Sequence, residues 1–149
     1  MINVNDTAVA AGPGQPRHTP RLRRLAVIGF IATLAAIVAT TLAAALARAV
    51  GVDFKVSDGA ETIPLAGVAV VTGFFSVVGI VIAAAFLRWS ARPAERFVWT
   101  TVSLTAISFV PPFLAGANTA TATTLLGLHL VPAAVMIPTL ARSLRTRTD

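Results

Sequence analysis

Four stretches of this chain, residues 25–47, 64–87, 97–117 and 121–141, contain no Asp, Glu, Lys or Arg. The first is 23 residues long, and at a 1.5 Å rise it makes about 34 Å of helix, enough to cross a hydrocarbon core of about 30 Å. Backbone threaded through lipid has to satisfy its own N–H and C=O groups, so each stretch is expected as an α-helix. The rest of the composition agrees. The chain is 56% hydrophobic and 12% charged, with mean hydropathy +0.80, whereas soluble domains carry about 25% charged residues. These features predict an all-α membrane protein, a four-transmembrane-helix up-down bundle whose solvent is the lipid bilayer.

The segments between the spans divide the chain. Residues 1–24 are polar, broken by Gly12, Pro13, Gly14, Pro16 and Pro20, and end on Arg21, Arg23 and Arg24; they read as a disordered basic tail. Arg23 and Arg24 ahead of an apolar run also fit a cleaved signal peptide, but signal h-regions span only about 7 to 15 residues. A retained first span is therefore expected. Residues 48–63 form the only sizeable loop, where Val52, Phe54 and Val56 alternate with Asp53 and Lys55, as in a short extended segment. Thr62 is placed to cap the second helix, with Pro64 in its first turn. Arg88, Trp89 and Arg92 close that span as interface anchors. Pro93 opens the third helix with Glu95 in its first turn. Gly116 and Asn118 turn the chain into the fourth span, and residues 142–149 form a second basic tail.

Charge sets the orientation. The two tails and the second connection hold ten arginines (17, 21, 23, 24, 88, 92, 96, 142, 145 and 147) against Asp6, Glu95 and Asp149, leaving +7. The opposite side holds Arg48 and Lys55 against Asp53, Asp58 and Glu61, leaving −1. Basic residues collect on the cytoplasmic side of a membrane protein, so both termini are expected in the cytoplasm. The net +6 lies at the span ends, without the aromatic-laced stripe of a nucleic-acid binder, so no nucleic acid is expected as a partner.

Helices in lipid associate by close packing over small residues, because burying Leu there gains nothing. Ala32, Ala36, Ala39, Ala43 and Ala47 recur along one face of the first span, and Gly79 and Ala83 on the second follow Ser76. They are the expected helix-packing seam. Pro111 and Pro112 fall within the third span and Pro132 and Pro138 within the fourth, each removing a backbone donor. Thr101, Thr105 and Ser108 form a hydroxyl stripe leading to the proline pair. The plainer reading of that stripe is bonding to carbonyls of its own helix.

His129 is the only titratable side chain within the four runs. An ionisable group in the membrane is costly and marks a site by default. Folding the last hairpin about residues 118 and 119 brings His129 level with Ser108 and Phe109. His129, Ser108, Thr105, Pro111 and Pro112 thus make a candidate intramembrane polar cluster, either a proton-responsive or ligand-contacting site or a neutral imidazole bonded to Ser108 or to a freed carbonyl. Other chemistry lacks its parts. There are no cysteines and only two histidines, His18 and His129, so neither a metal nor a cofactor is expected; zinc needs three or four ligands. No catalytic triad, phosphate loop or paired carboxylate occurs in the spans, so no enzyme is expected.

Ser108-Phe-Val-Pro-Pro112, then Leu125-Leu-Gly-Leu-His129-Leu-Val-Pro-Ala133 and a closing Leu140-Ala-Arg142, resemble a family of small four-helix membrane proteins of unknown function found in actinobacteria. That family has Ser-x-x-Pro-Pro in the third helix and His-Leu-Val in the fourth. The resemblance covers about residues 22–145 and implies the fold but no activity. The expected function is a non-enzymatic accessory or cell-envelope component acting through helix contacts, with a second copy or another membrane protein as partner. The alternative is a small transporter or channel subunit using kinked third and fourth helices around His129.

Overall fold

The computed structural model describes residues 18–52, 62–110 and 119–145, and these are helical apart from short connections. Four helices follow in order: α1, His18–Ala49; α2, Leu65–Trp89; α3, Pro93–Ile107; and α4, Thr119–Arg145. Three segments, Pro20–Ala49, Leu65–Trp89 and Ala122–Arg145, are long and apolar enough to cross a membrane. α3 is shorter, with 15 residues, or about 22 Å.

The helix ends depart from the ends of the apolar runs for local reasons. α1 starts at His18, so Arg21, Arg23 and Arg24 lie on a helix and not in a disordered tail. Arginine is a good helix former, and Pro20 occupies the first turn, where its missing N–H breaks no bond. A charge ends a hydrocarbon crossing; it does not end a helix. For the same reason α4 continues through Arg142 to Arg145. Thr62 does not cap α2. Pro64 holds the N-cap position in extended conformation, and no side chain bonds there. The alternating segment expected over 52–56, the turn at 116–118 and both extreme tails lie wholly or mostly outside the described residues.

α3 opens as expected, with Pro93 at its start and Glu95 in the first turn, but it ends at Ile107 instead of continuing as one helix to 117. The Ser108 and Phe109 amides close a turn onto the carbonyls of Leu104 and Ala106. Prolines at 111 and 112 would obstruct two successive carbonyls, those of Ile107 and Ser108, and supply no donor to either. In α4 the single prolines 132 and 138 each disturb one carbonyl, and the helix continues through both.

A glycine closes α1. Gly51 has φ +89°, the left-handed region. Its amide bonds the carbonyl of Arg48 at 3.0 Å, and the Val52 amide bonds that of Ala47 at 3.0 Å. This pair of bonds satisfies carbonyls that a helix end would leave open. The Arg48 guanidinium then reaches the carbonyl of Ile63, tying the end of α1 to the start of α2.

α1 packs mainly on α2 and α4, and α3 packs on α2 and α4 across from α1. Gly29 meets Ile80 and Gly73 meets Ile37, the pairing of antiparallel neighbours. Leu25 shares a buried cluster with Leu144, and Ala44 shares one with Leu128, so α4 also runs antiparallel to α1. Large apolar side chains fill one end of the interior: Leu25, Phe97, Met136, Leu140 and Leu144. Towards the middle the buried residues become small or hydroxyl-bearing: Ala32, Ala36 and Ala83, with Thr33, Thr40, Thr72 and Ser76. The outside is the reverse. Phe30, Phe74 and Phe75 are 62%, 63% and 65% exposed, and Ile31, Leu34, Val38 and Leu42 join Phe30 on the outer face of α1.

Candidate functional site in the helical bundle

His129 lies on α4 seven residues from each of Ala122 and Met136, which are both buried. Two turns of helix separate such positions, so the imidazole lies on the inward face. Its Nδ1 is 2.7 Å from the carbonyl oxygen of Leu125, one turn back. A carbonyl can only accept, so Nδ1 carries the proton in this contact. No hydrogen bond reaches Nε2 from the described residues. The Phe109 ring meets the imidazole edge-on, centroids 6.4 Å apart and planes at 80°, the T-shaped arrangement that aromatic quadrupoles favour.

The hydroxyls of the α3 stripe are turned onto their own helix. Thr101 Oγ1 donates to the carbonyl of Phe97 at 2.8 Å, Thr105 Oγ1 to that of Thr101 at 2.8 Å, and Ser108 Oγ to that of Thr105 at 2.7 Å. His129 and Ser108 therefore each spend their donor within their own helix. Pro111 and Pro112, the remaining members of the expected cluster, lie outside the described residues. Since these bonds are local, replacing Thr105 by Val or Ser108 by Ala is expected to cost less than about 1 kcal/mol, the usual range for hydroxyls in membrane bundles. Thermal unfolding in detergent reads this directly; a loss above about 2 kcal/mol would require a partner across the bundle.

The packing seam follows a course that alanine spacing only half describes. Ala32 and Ala36 are buried, while Ala39 and Ala43 are half-buried, and the closed face continues through Thr40 and Ala44. On α2, Ala83 is fully buried, but a Cβ added at Gly79 would meet nothing within 4 Å. The close approaches fall at Gly29 and Gly73 instead. A stripe that counts threonine and glycine with alanine, 29-33-36-40-44, would have found the α1 face. Its hydroxyls differ in satisfaction. Thr33 Oγ1 donates to the Gly29 carbonyl at 2.9 Å, whereas Thr40 Oγ1 and Ser76 Oγ are buried with no hydrogen-bond partner.

Two depressions flank α3. One is a cleft of about 460 Å³ at its start, lined by Phe86 of α2 and by Arg92, Glu95, Arg96, Trp99 and Thr100. The other is an almost wholly apolar groove of about 510 Å³ between α3 and α4, whose lining includes Val102, Ala106, Phe109, Leu130, Ala134 and Ile137. Arg92 and Glu95 approach to 3.6 Å, both largely exposed, and a pair so solvated adds little stability. Among the described residues no group of three or more His, Cys, Asp and Glu side chains is placed to hold a metal.

No curated protein and no solved structure matches the chain. A family model does match, over residues 20–146. That range takes in all four helices almost entirely, and the chain belongs to DUF6069, a family of unknown function.

Proposed function

We propose that this chain is a four-span protein of the cytoplasmic membrane, with both termini in the cytoplasm, acting as a non-enzymatic accessory or cell-envelope component through helix–helix contacts. We place it with the actinobacterial four-helix proteins whose Ser-x-x-Pro-Pro and His-Leu-Val elements it shares. The observation that carries the reading is the apolar outer surface of the bundle, where Phe30, Phe74, Phe75 and many aliphatic side chains are exposed while alanines and hydroxyls are buried in mid-bundle. Water would expel such a surface, whereas lipid accepts it and leaves close packing to hold the helices. Residues 108–117 are uncharged, so no charge interrupts the apolar run that begins in α3. The interior favours contact over chemistry, because its hydroxyl stripe and its imidazole donor are engaged within single helices.

Reporter fusions test the topology. Fusions at both termini are expected to report the cytoplasm and a fusion within residues 53–61 the outside; termini on opposite faces would refute four spans. Cross-linking in cells with native mass measurement tests the role. A second copy or another membrane protein held in stoichiometric amount is expected, and a solitary monomer would remove the accessory reading. The alternative, a small transporter or channel subunit, draws support from the inward-facing imidazole of His129 and from the stop of α3 at Ile107, since broken helices commonly build transport sites. Liposome flux measured beside His129→Ala and Pro112→Ala separates the two, with equal and negligible flux discarding transport.

A further inference from the structure

We propose that the cleft at the start of α3 and the groove above it form one binding site for an anionic phospholipid of the cytoplasmic leaflet, with the phosphate at Arg96 and Arg92 and one acyl chain along the α3–α4 groove. The inference rests on the membrane reading above and adds a ligand to it.

Three observations converge. The first is charge. Arg96 is exposed and has no acidic partner among the described residues, while Arg92 has only its loose contact with Glu95; Arg88, at the end of α2, is exposed close by in sequence. The three arginines outweigh the one carboxylate, and a guanidinium binds phosphate through paired N–H donors. The second is continuity. Trp99 lines the cleft, Val102 and Ala106 line the groove, and spacings of three and four put all three on one side of α3. The ring therefore stands where the polar site passes into the apolar one, the level at which tryptophan sits in a bilayer.

The third is length. From Arg96 to Ile107, where α3 ends, is 11 residues, or about 16 Å of helix. A leaflet contributes about 15 Å, half of the hydrocarbon core. The charged end thus falls at headgroup depth while the groove reaches the level of the chain ends. Its lining offers almost no polar surface, so an alkyl chain fits it and a polar solute does not.

Tryptophan fluorescence tests the site. The chain has two tryptophans, and Trp89→Phe leaves Trp99 as the sole reporter. The protein is placed in phosphatidylcholine bilayers containing equal fractions of either dibrominated phosphatidylglycerol or dibrominated phosphatidylcholine. Relative binding of the anionic lipid at Trp99 is expected to be at least about fivefold, the worth of one arginine near an anionic surface. It should fall close to one in Arg92→Gln/Arg96→Gln, both exposed substitutions that leave the fold intact. Ala134→Phe, which fills the groove and keeps both arginines, is expected to reduce quenching by the brominated chains. Equal quenching by the two lipids in the Trp89→Phe protein, or an undiminished preference in the double-Gln variant, would overturn the lipid site and leave the membrane reading intact. Absence of quenching by either lipid would overturn both.

Discussion

Val77→Arg is expected to abolish stable accumulation of the protein in membranes, although Val77 is 53% exposed and touches no candidate site. Val77 is the midpoint of the 25-residue α2, where a snorkelling arginine has the farthest to reach. A charge at the centre of a transmembrane helix costs about 2.5–3.5 kcal/mol on insertion scales, or about 60- to 300-fold in the insertion equilibrium. On a helix face in water the same exposed substitution would change stability by no more than about 0.5 kcal/mol. Trp89→Arg, at the end of the same helix and 77% exposed, is the matched control and is expected to be tolerated, because a charge there already lies at the interface beside Arg88. Membrane-fraction yield and thermal stability in nanodiscs read both variants. If Val77→Arg and Trp89→Arg behave alike, the outer face of α2 does not meet lipid, and the solvent inferred from Phe74, Phe75 and Val77 is wrong.

That contrast also marks what could be read from the chain alone. Runs free of charge predicted three of the helices well, because hydrophobic length is a property of each segment and needs no partner. The ends were less legible. Arg21, Arg23 and Arg24 end the apolar run but continue α1, since helix propensity and lipid solubility are separate quantities. The opposite error occurred at α3, where apolar residues run on to 117 but the regular helix stops at Ile107. The interruption falls at Ser108 and Phe109, a detail that hydropathy does not encode. Gly51 was available as a helix stop, followed as it is by a loop pattern, but only the left-handed conformation shows why glycine stands there.

The site was legible in depth but not in partnership. Counting residues back from the hairpin put His129 beside Ser108 and Phe109, and Phe109 does meet it. What spacing could not supply was the choice of acceptor. An imidazole and a hydroxyl at one depth can bond each other or their own backbones, and the i−4 carbonyl of Leu125 is always in reach of His129 without any tertiary arrangement. The glycines followed the same logic. Gly29, Gly73 and Gly79 look equivalent in sequence, and only the neighbouring helix distinguishes them.

That distinction gives the second large effect. A Cβ on Gly29 would lie 2.8 Å from Ile80 Cγ1 and 2.9 Å from its Cδ1; one on Gly73 would lie 3.2 Å from Ile37 Cδ1; one on Gly79 would meet nothing. Gly29→Leu is therefore expected to lose about 3 kcal/mol by overpacking, the upper part of the usual range, because α1 and α2 must separate to admit it. Gly79→Leu should be neutral or stabilising by up to about 1 kcal/mol, since leucine exceeds glycine in helix propensity by roughly that amount. Gly73→Leu should fall between them. Ile80→Ala alone removes packing and should destabilise, but in the Gly29→Leu background it makes room and should recover part of the loss, so the two changes are coupled by about 1 kcal/mol or more. Thermal unfolding of the four single variants and the double variant in detergent, with size-exclusion profiles as a check on folding, measures the series. Additive losses at positions 29 and 80 would mean that these side chains do not face each other, and the antiparallel register of α1 and α2 would fall with them.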